Sequence, residues 1–345
     1  MCKWALFIIK SIPDNAAISS SIVLSGGFRD HDIYKYFPSK KVEWIGNYKR
    51  HFTPLPDFYV GQSMVITNSN ELFLISGDTY REPGKGLGKL PTKTCFIYKI
   101  GTRQWQYHSY LNEIRTYSVA IAMDNGIYLF GGEKPHNPRP MSSQDTVEFL
   151  PKNDDQWKIR TKIPLNGFHG ASGVAISKNE IFITGGWRDN GDVRLILIFN
   201  ISTNKWLQSF LKIGRLWHAS FVYKENVIIC GGADGTYWGQ VFGSTEILSL
   251  SNGTLRLGGS LQIPRKLHGM GLVKVDGKTK LIAFGGKNEM GDDLSSIEEW
   301  NETTEQWELS KSRLSEPRSG FAFCSRPKAL MQESASSQWH NFSPI

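Results

Sequence analysis

Arginine recurs in this 345-residue chain at a spacing that could grip carboxylates. Arg115 and Arg215 each stand sixteen residues before the first glycine of a Gly-Gly pair, and His169 does the same. Arg265 stands twenty residues before such a glycine, and Arg318 has no pair behind it. A guanidinium fork binds a carboxylate through two parallel hydrogen bonds. Just beyond the glycine pairs come Tyr80, Trp187, Arg188, Tyr237 and Trp238, with Glu133 and Lys287 at like places. Arginine, tryptophan and tyrosine are the residues that most often dominate binding energy at interfaces. Together these residues would form a basic, aromatic surface for an acidic peptide. The competing expectation is that each arginine is a strut, its donors spent on backbone carbonyls.

The elements that must hold them follow from the glycines. Short apolar runs end in Gly-Gly at Ile22–Gly27, Gly126–Gly132, Ile181–Gly186, Val227–Gly232 and Leu281–Gly286, and Leu72–Asp78 carries Ser76 in place of the first glycine. The period is about fifty residues, the signature of a propeller or solenoid. A second marker agrees with it. Trp105, Trp157, Trp206 and Trp307 each lie ten residues after the start of another apolar strand, and the same offset leads from Val42 to Phe52 and from Thr245 to Leu255. A third strand precedes each glycine pair, as in Arg115–Met123, His169–Ser177, Arg215–Tyr223 and Arg265–Val275, with Val60 leading the second unit. Each unit is thus four short strands, A to D, joined by turn residues as an antiparallel meander. Six units, with B–D strands near 22–52, 72–105, 127–157, 181–206, 227–255 and 281–307, predict an all-β six-bladed propeller. Strands A and B form a hairpin, so the start of A and the residues after Gly-Gly share one rim. Glycine there would admit a neighbouring backbone or a large ring, the strand D tryptophan being the expected ring. Glu43, Glu148, Glu246 and Glu298 recur at one strand C position, which predicts a repeated structural hydrogen bond or ion pair.

These markers together resemble the kelch repeat: an Arg or His opening strand A, Gly-Gly after strand B and Trp on strand D. The resemblance covers about residues 20–325 and is weakest in blades one, two and five. It implies a ring closed by pairing the two ends of the repeat region, and a central rim that receives a peptide from a protein partner. PRSGFAFCS (Pro317–Ser325) reads as a strand A with no strand B behind it, so Arg318–Cys324 is expected to complete blade one; Trp4–Lys10 is the competing strand. Residues 1–20 are then an N-terminal extension, 21–325 the propeller and 326–345 a polar tail. No helical partner domain accompanies the repeats, so the chain reads as a lone propeller or a fragment of a longer product.

Composition narrows the function. The net charge of +8 is moderate and dispersed, with no basic stripe interleaved with aromatics, so no nucleic-acid partner is expected. No apolar run reaches a membrane span. Cys2, Cys95, Cys230 and Cys324 lie far apart, with neither metal spacing nor a disulfide framework. His169, His218 and His268 fall in different units, so no metal site and no cofactor are expected. The kelch-like copper oxidase would need paired tyrosines and histidines beside a cysteine, and this arrangement is not found. The turns GTRQW, STNKW and TTEQW lack the repeated sialidase form. The reading is therefore a non-enzymatic scaffold or adaptor, monomeric and without catalytic residues. The alternative is a propeller enzyme acting on a sugar or carboxylate-bearing substrate, sialidase-like or of the kelch-type lyase or isomerase kind. The scattered cysteines point to a cytoplasmic chain. Sequons at Asn200, Asn252, Asn301 and Asn341 point to secretion, although the first and third lie in equivalent turns.

Overall fold

The structure, a computed structural model, describes residues 22–29, 37–45, 53–69, 71–80, 89–99, 102–134, 142–188, 191, 193–236, 239–275, 278–325, 339 and 341–345. Phe52, Tyr237, Trp238, Trp4–Lys10 and much of the B–C loops of blades two and three lie outside them, as does the side chain of Tyr80.

Six antiparallel sheets follow one another in the order of the sequence. Blade three is typical: Val119–Met123 (A), Gly126–Phe130 (B), Thr146–Pro151 (C) and Lys158–Lys162 (D) pair in that order. All five residues of its strand B are buried, and strand D is mostly exposed. This gradient explains why strand B reads as an unbroken apolar run, since both its faces meet other sheets. The one helical element among the described residues is a short 3-10 turn at Pro164–Asn166. Blade two departs from the expected loop. Its strand C begins at Lys89, and Lys89–Thr92 pairs back onto Gly77–Tyr80 as an extension of the sheet.

Blade one is built from both ends of the repeat region. Ile22–Ser25 pairs on one side with Val42–Ile45 and on the other with Ala322–Ser325, in the register Ile22↔Ser325. The C-terminal strand therefore closes the ring. Blade one shows three strands among the described residues.

The blades meet through their tryptophans. Trp157 packs with blade two, Trp206 with blade three and Trp307 with blade five, each reaching back to the preceding sheet. Indole N–H groups of Trp157 and Trp307 donate across the same seams, to Ser109 Oγ at 3.1 Å and Thr245 Oγ1 at 3.0 Å.

The glycine pairs serve a second seam. Gly186 N donates to the carbonyl of Arg215 in the next blade, and Gly232 N and Gly286 N donate in the same way to Arg265 and Arg318. The first glycine of each pair is left-handed (Gly185 φ 58°), and a Cβ there would lie 2.1 Å from the Arg215 carbonyl. The neighbour that demands glycine is thus the backbone opening the next blade, not the strand D ring. Ser76 keeps the left-handed backbone in blade two and gives its hydroxyl to the Arg115 carbonyl.

The tail differs from its expectation as a polar extension. Ser343–Pro344 pairs with Leu207–Gln208 as a fifth strand on blade four, and Trp339 and Phe342 are buried. Among the described residues of the tail only these two rings leave the water, while Asn341 and Ser343–Ile345 stay exposed.

Candidate binding rim

The structure puts strand A starts and post-glycine residues at one end of the ring. Thr116 bridges Glu133, His169 bridges Trp187, Leu216 bridges Ala233 and Lys266 bridges Lys287. The arginines, however, point into the sheets. Arg115, Arg215, Arg265 and Arg318 have no exposed surface. Arg115 Nη1 donates to the carbonyls of Gly131 (2.8 Å) and Thr146 (3.1 Å), and Nη2 donates to Thr146 Oγ1 (2.7 Å) and Glu148 Oε1 (2.9 Å). Arg215 repeats the pattern on Gly231, Ser244 and Glu246, and Arg265 on Gly285, Ser296 and Glu298. Arg318 lies 3.3 Å from Glu43. Each glutamate also accepts backbone N–H groups of the linker entering its blade, as Glu298 does from Gln262 and Ile263. Burial lowers the pKa of Arg115, Arg215 and Arg265, and the adjacent glutamate opposes that shift. Buried guanidinium groups whose terminal nitrogens are spent inside the blade have no fork left for a peptide. The arginines leave the partner-binding set.

His169 also leaves it. It is buried, with Nδ1 3.1 Å from Ser143 Oγ. It stands one residue past the arginine position, which blade four fills with Phe168, the residue whose carbonyl accepts from Gly132 N. The A–B turn of blade four is one residue longer, so the sixteen-residue count lands one place late. Blade two is similar: Tyr59, rather than Val60, holds the place, and its carbonyl accepts from Gly27 N. These two blades replace the ion pair as a unit. Tyr59 meets Phe96 edge-on at 6.4 Å, and Phe168 shares a cluster with Leu197. Arg188 is buried too and donates to the Leu165 carbonyl. Trp187 remains partly exposed.

What opens to solvent is a central cavity of about 280 Å³, lined by strand A of every blade. Two layers of equivalent residues surround its mouth. The inner layer is Gln62, Ser118, Ala171, His218, His268 and Phe321. Above it, Gly61, Tyr117, Gly170, Trp217, Leu267 and Gly320 all have left-handed backbones. They form a closed circle of hydrogen bonds. Tyr117 N donates to Gly61 O (2.7 Å), Gly170 N to Tyr117 O (3.1 Å), Trp217 N to Gly170 O (2.7 Å) and Leu267 N to Trp217 O (2.8 Å); Gly320 N then donates to Leu267 O (3.0 Å) and Gly61 N to Gly320 O (3.4 Å). Tyr117, Trp217 and Leu267 pay the left-handed cost of about 1 kcal/mol each, and such strain gathers at functional positions. Glycine stands beside two of the rings for space: a Cβ on Gly61 would lie 3.0 Å from the Tyr117 ring, and one on Gly170 2.9 Å from the Trp217 indole.

Charge collects beside this mouth. Lys266 Nζ lies 5.6 Å from the centre of the Trp217 ring, within cation–π range. Partial burial lowers the Lys266 pKa, Lys287 lowers it further, and Asp234 opposes both. Lys287 itself lies 3.1 Å from the Asp293 carboxylate. Sequence reasoning missed Tyr117, Trp217 and Lys266. Lys266 sits one place after the arginine position and Tyr117 and Trp217 two places after it, and the αL backbone of the last two has no sequence mark because neither is glycine.

No cluster of three or more His, Cys, Asp and Glu that could hold a metal occurs among the described residues. No helix among them is long and apolar enough to cross a membrane.

Six radial sheets around a lined axial cavity, stitched by repeating Arg–Glu and Gly–Gly devices, define a repeat propeller. A model of the Kelch motif matches residues 170–208. Over 143 residues, 41% of this chain, it is 30% identical to mouse Kelch domain-containing protein 7A (Mus musculus), covering 16% of that protein. It is 26% identical to Alpha-scruin of Limulus polyphemus over 189 residues (51% of this chain, 20% of the other). With mouse Kelch-like protein 15 it is 27% identical over 194 residues (53% and 31%). The chain thus matches less than a third of the length of these relatives. The solved structure of YjhT superposes with a TM-score of 0.66 at 13% identity, covering 87% of this chain and all of that one, a likeness of fold. The chain is a six-bladed β-propeller that carries the Kelch motif and is similar along part of its length to kelch proteins.

Proposed function

We propose that the channel mouth is the binding surface of a protein-interaction scaffold and takes an acidic segment of a partner. The observation that carries this reading is the Lys266 ammonium over the Trp217 ring, beside Lys287. A carboxylate arriving there would relieve the repulsion between two cations and bury against an aromatic plate. Trp187 and Tyr117 extend the apolar surface around it. Residues with these chemistries anchor interfaces out of proportion to their number, and the rigid circle beneath them lowers the entropy lost on binding. The kelch resemblance points the same way. No catalytic step enters this reading, and the partner would be met by one copy of the chain.

The test is binding of a display library of acidic peptides to the wild type, Lys266→Glu and Trp217→Ala, each checked for an unchanged melting temperature. Charge reversal at Lys266 should weaken selected peptides by at least about tenfold, as expected for a lost charge-assisted contact. Equal binding by wild type and Lys266→Glu would place the partner surface elsewhere.

A further inference from the structure

In blades two, four and six, strands C and D contribute an aromatic pair to the seam with the preceding blade. Tyr98 and Trp105 meet at 5.2 Å and 66°, Phe199 and Trp206 at 4.5 Å and 35°, and Trp300 and Trp307 at 5.2 Å and 62°. Blade three keeps the tryptophan of the pair, Trp157, opposite Leu150. Blade five has leucine at both places, Leu248 paired with Leu255. Two leucines fill less volume than two aromatic rings, and a close-packed interior tolerates little unfilled space.

The missing pair comes from elsewhere in the chain. Trp339 and Phe342 meet edge-on at 5.0 Å and 71° and lie in the core cluster between blades four and five, which also holds Leu248, with Leu255 packed on it. The segment is fastened on both sides of the seam. Ser343–Pro344 pairs with blade four and Ile345 N donates to Trp206 O at 3.3 Å, while Asn341 Nδ2 donates to Gly253 O of blade five at 3.5 Å. We propose that the outer cleft between blades four and five is a docking groove for a Trp-x-x-Phe turn leading into a short strand, and that this chain's own Trp339, Phe342 and Ser343–Pro344 fill it in cis. The groove supplies a free strand edge and an apolar slot sized for two rings, the two elements of recognition by strand addition. Pro344 on the added strand lacks an N–H, so it blunts the new edge against further strands.

Reach permits the cis arrangement. Strand A of blade one ends at Ser325, at the same end of the ring as the C–D turn of blade five that carries Gly253. The chain from Ser325 to Trp339 can span roughly 45 Å when extended, more than the ~20 Å radius of gyration expected for this length.

The test uses the full chain. Trp339→Ala/Phe342→Ala should lower the melting temperature by roughly 3–8 °C. Adding Leu255→Trp to that background restores the ring at its usual place and should recover at least half of the loss. A nine-residue peptide of sequence SQWHNFSPI should bind the double variant at least tenfold more tightly than the wild type, whose groove is already filled at high effective concentration. An unchanged melting temperature, no recovery with Leu255→Trp, or equal peptide binding by both proteins would overturn the proposal. If the double variant does not fold, a folded triple variant supports the groove and an unfolded one overturns it. Sedimentation should show monomers; a dimer lost on Trp339→Ala/Phe342→Ala would mean that the segment docks on a second copy.

Discussion

Arg265 Nη2 lies 2.6 Å from Glu298 Oε1, and neither side chain is exposed. A buried pair of this kind is costly to break, because the charge left behind has lost its water. Arg265→Ala or Glu298→Ala should each destabilise the propeller by about 3–5 kcal/mol in denaturant unfolding. The double change Arg265→Phe/Glu298→Leu copies what blade four carries as Phe168 and Leu197. It should return to within about 2 kcal/mol of wild type, since matched apolar residues often substitute for a buried ion pair. A double variant as unstable as the singles would show that the pair holds the linker and not just the sheet.

Gly185 should be intolerant of alanine. Its left-handed backbone and the Arg215 carbonyl, 2.1 Å from where a Cβ would stand, act together. Because the obstacle is backbone, relief requires the blade seam to open. Gly185→Ala should cost at least about 2 kcal/mol, read from the unfolding midpoint. Gly191→Ala is the control, since no atom lies within 4 Å of its added Cβ and only its left-handed φ opposes it.

The fold should lose stability in mild acid. His218 Nε2 lies 2.8 Å from Thr184 Oγ1 and His268 Nε2 lies 3.6 Å from Cys230 Sγ. Burial, reinforced by Arg215 and Arg265, holds both pKa values well below the usual imidazole range. The folded protein therefore refuses a proton that the unfolded chain accepts below about pH 6.5. Stability is complete above that pH and falls as the pH drops toward the folded values, by roughly 1.4 kcal/mol per unit for each histidine. Urea titrations from pH 7.5 to 5 should show this slope, and His268→Gln should make it shallower.

Three thiols should be silent. Cys95, Cys230 and Cys324 are buried, and burial raises the pKa of each, that of Cys230 to about 12. The thiolate is the reactive form. An aromatic disulfide reagent should leave these three unlabelled in the native protein and label them in denaturant. Rapid native labelling at Cys230 would mean that the seam between blades five and six opens.

The ring of blades was legible because it rests on repetition: a glycine pair and a ring-bearing strand D recur in most of the six units, with Ser76 and Leu255 among the exceptions. The Arg–Glu pairing was half legible. Recurrence of Glu43, Glu148, Glu246 and Glu298 marks a repeated hydrogen bond or ion pair but does not name its partner, although Arg318, Arg115, Arg215 and Arg265 recur in the same units. Position along the strand told which end of the ring an arginine occupied, but not whether its side chain turned toward solvent or back into the sheet. That depends on partners such as Thr146 and Ser296, which lie about thirty residues away. His169 was misplaced because one added turn residue shifts a fixed count. Trp339 was hidden by polar neighbours, and its role arises from a deficiency at Leu255 in another blade.

Blade one takes its strands from opposite ends of the repeat region, and this sets an order of events during synthesis. Ile22–Ser25 leaves the ribosome early, yet its neighbour Ala322–Ser325 arrives only after every other blade has been made. Until then the early strand carries an unpaired edge of the sort that recruits foreign strands. Closing so long a loop is slow. A nascent chain halted before Ala322 should thus be a client for chaperones, even with five blades already complete.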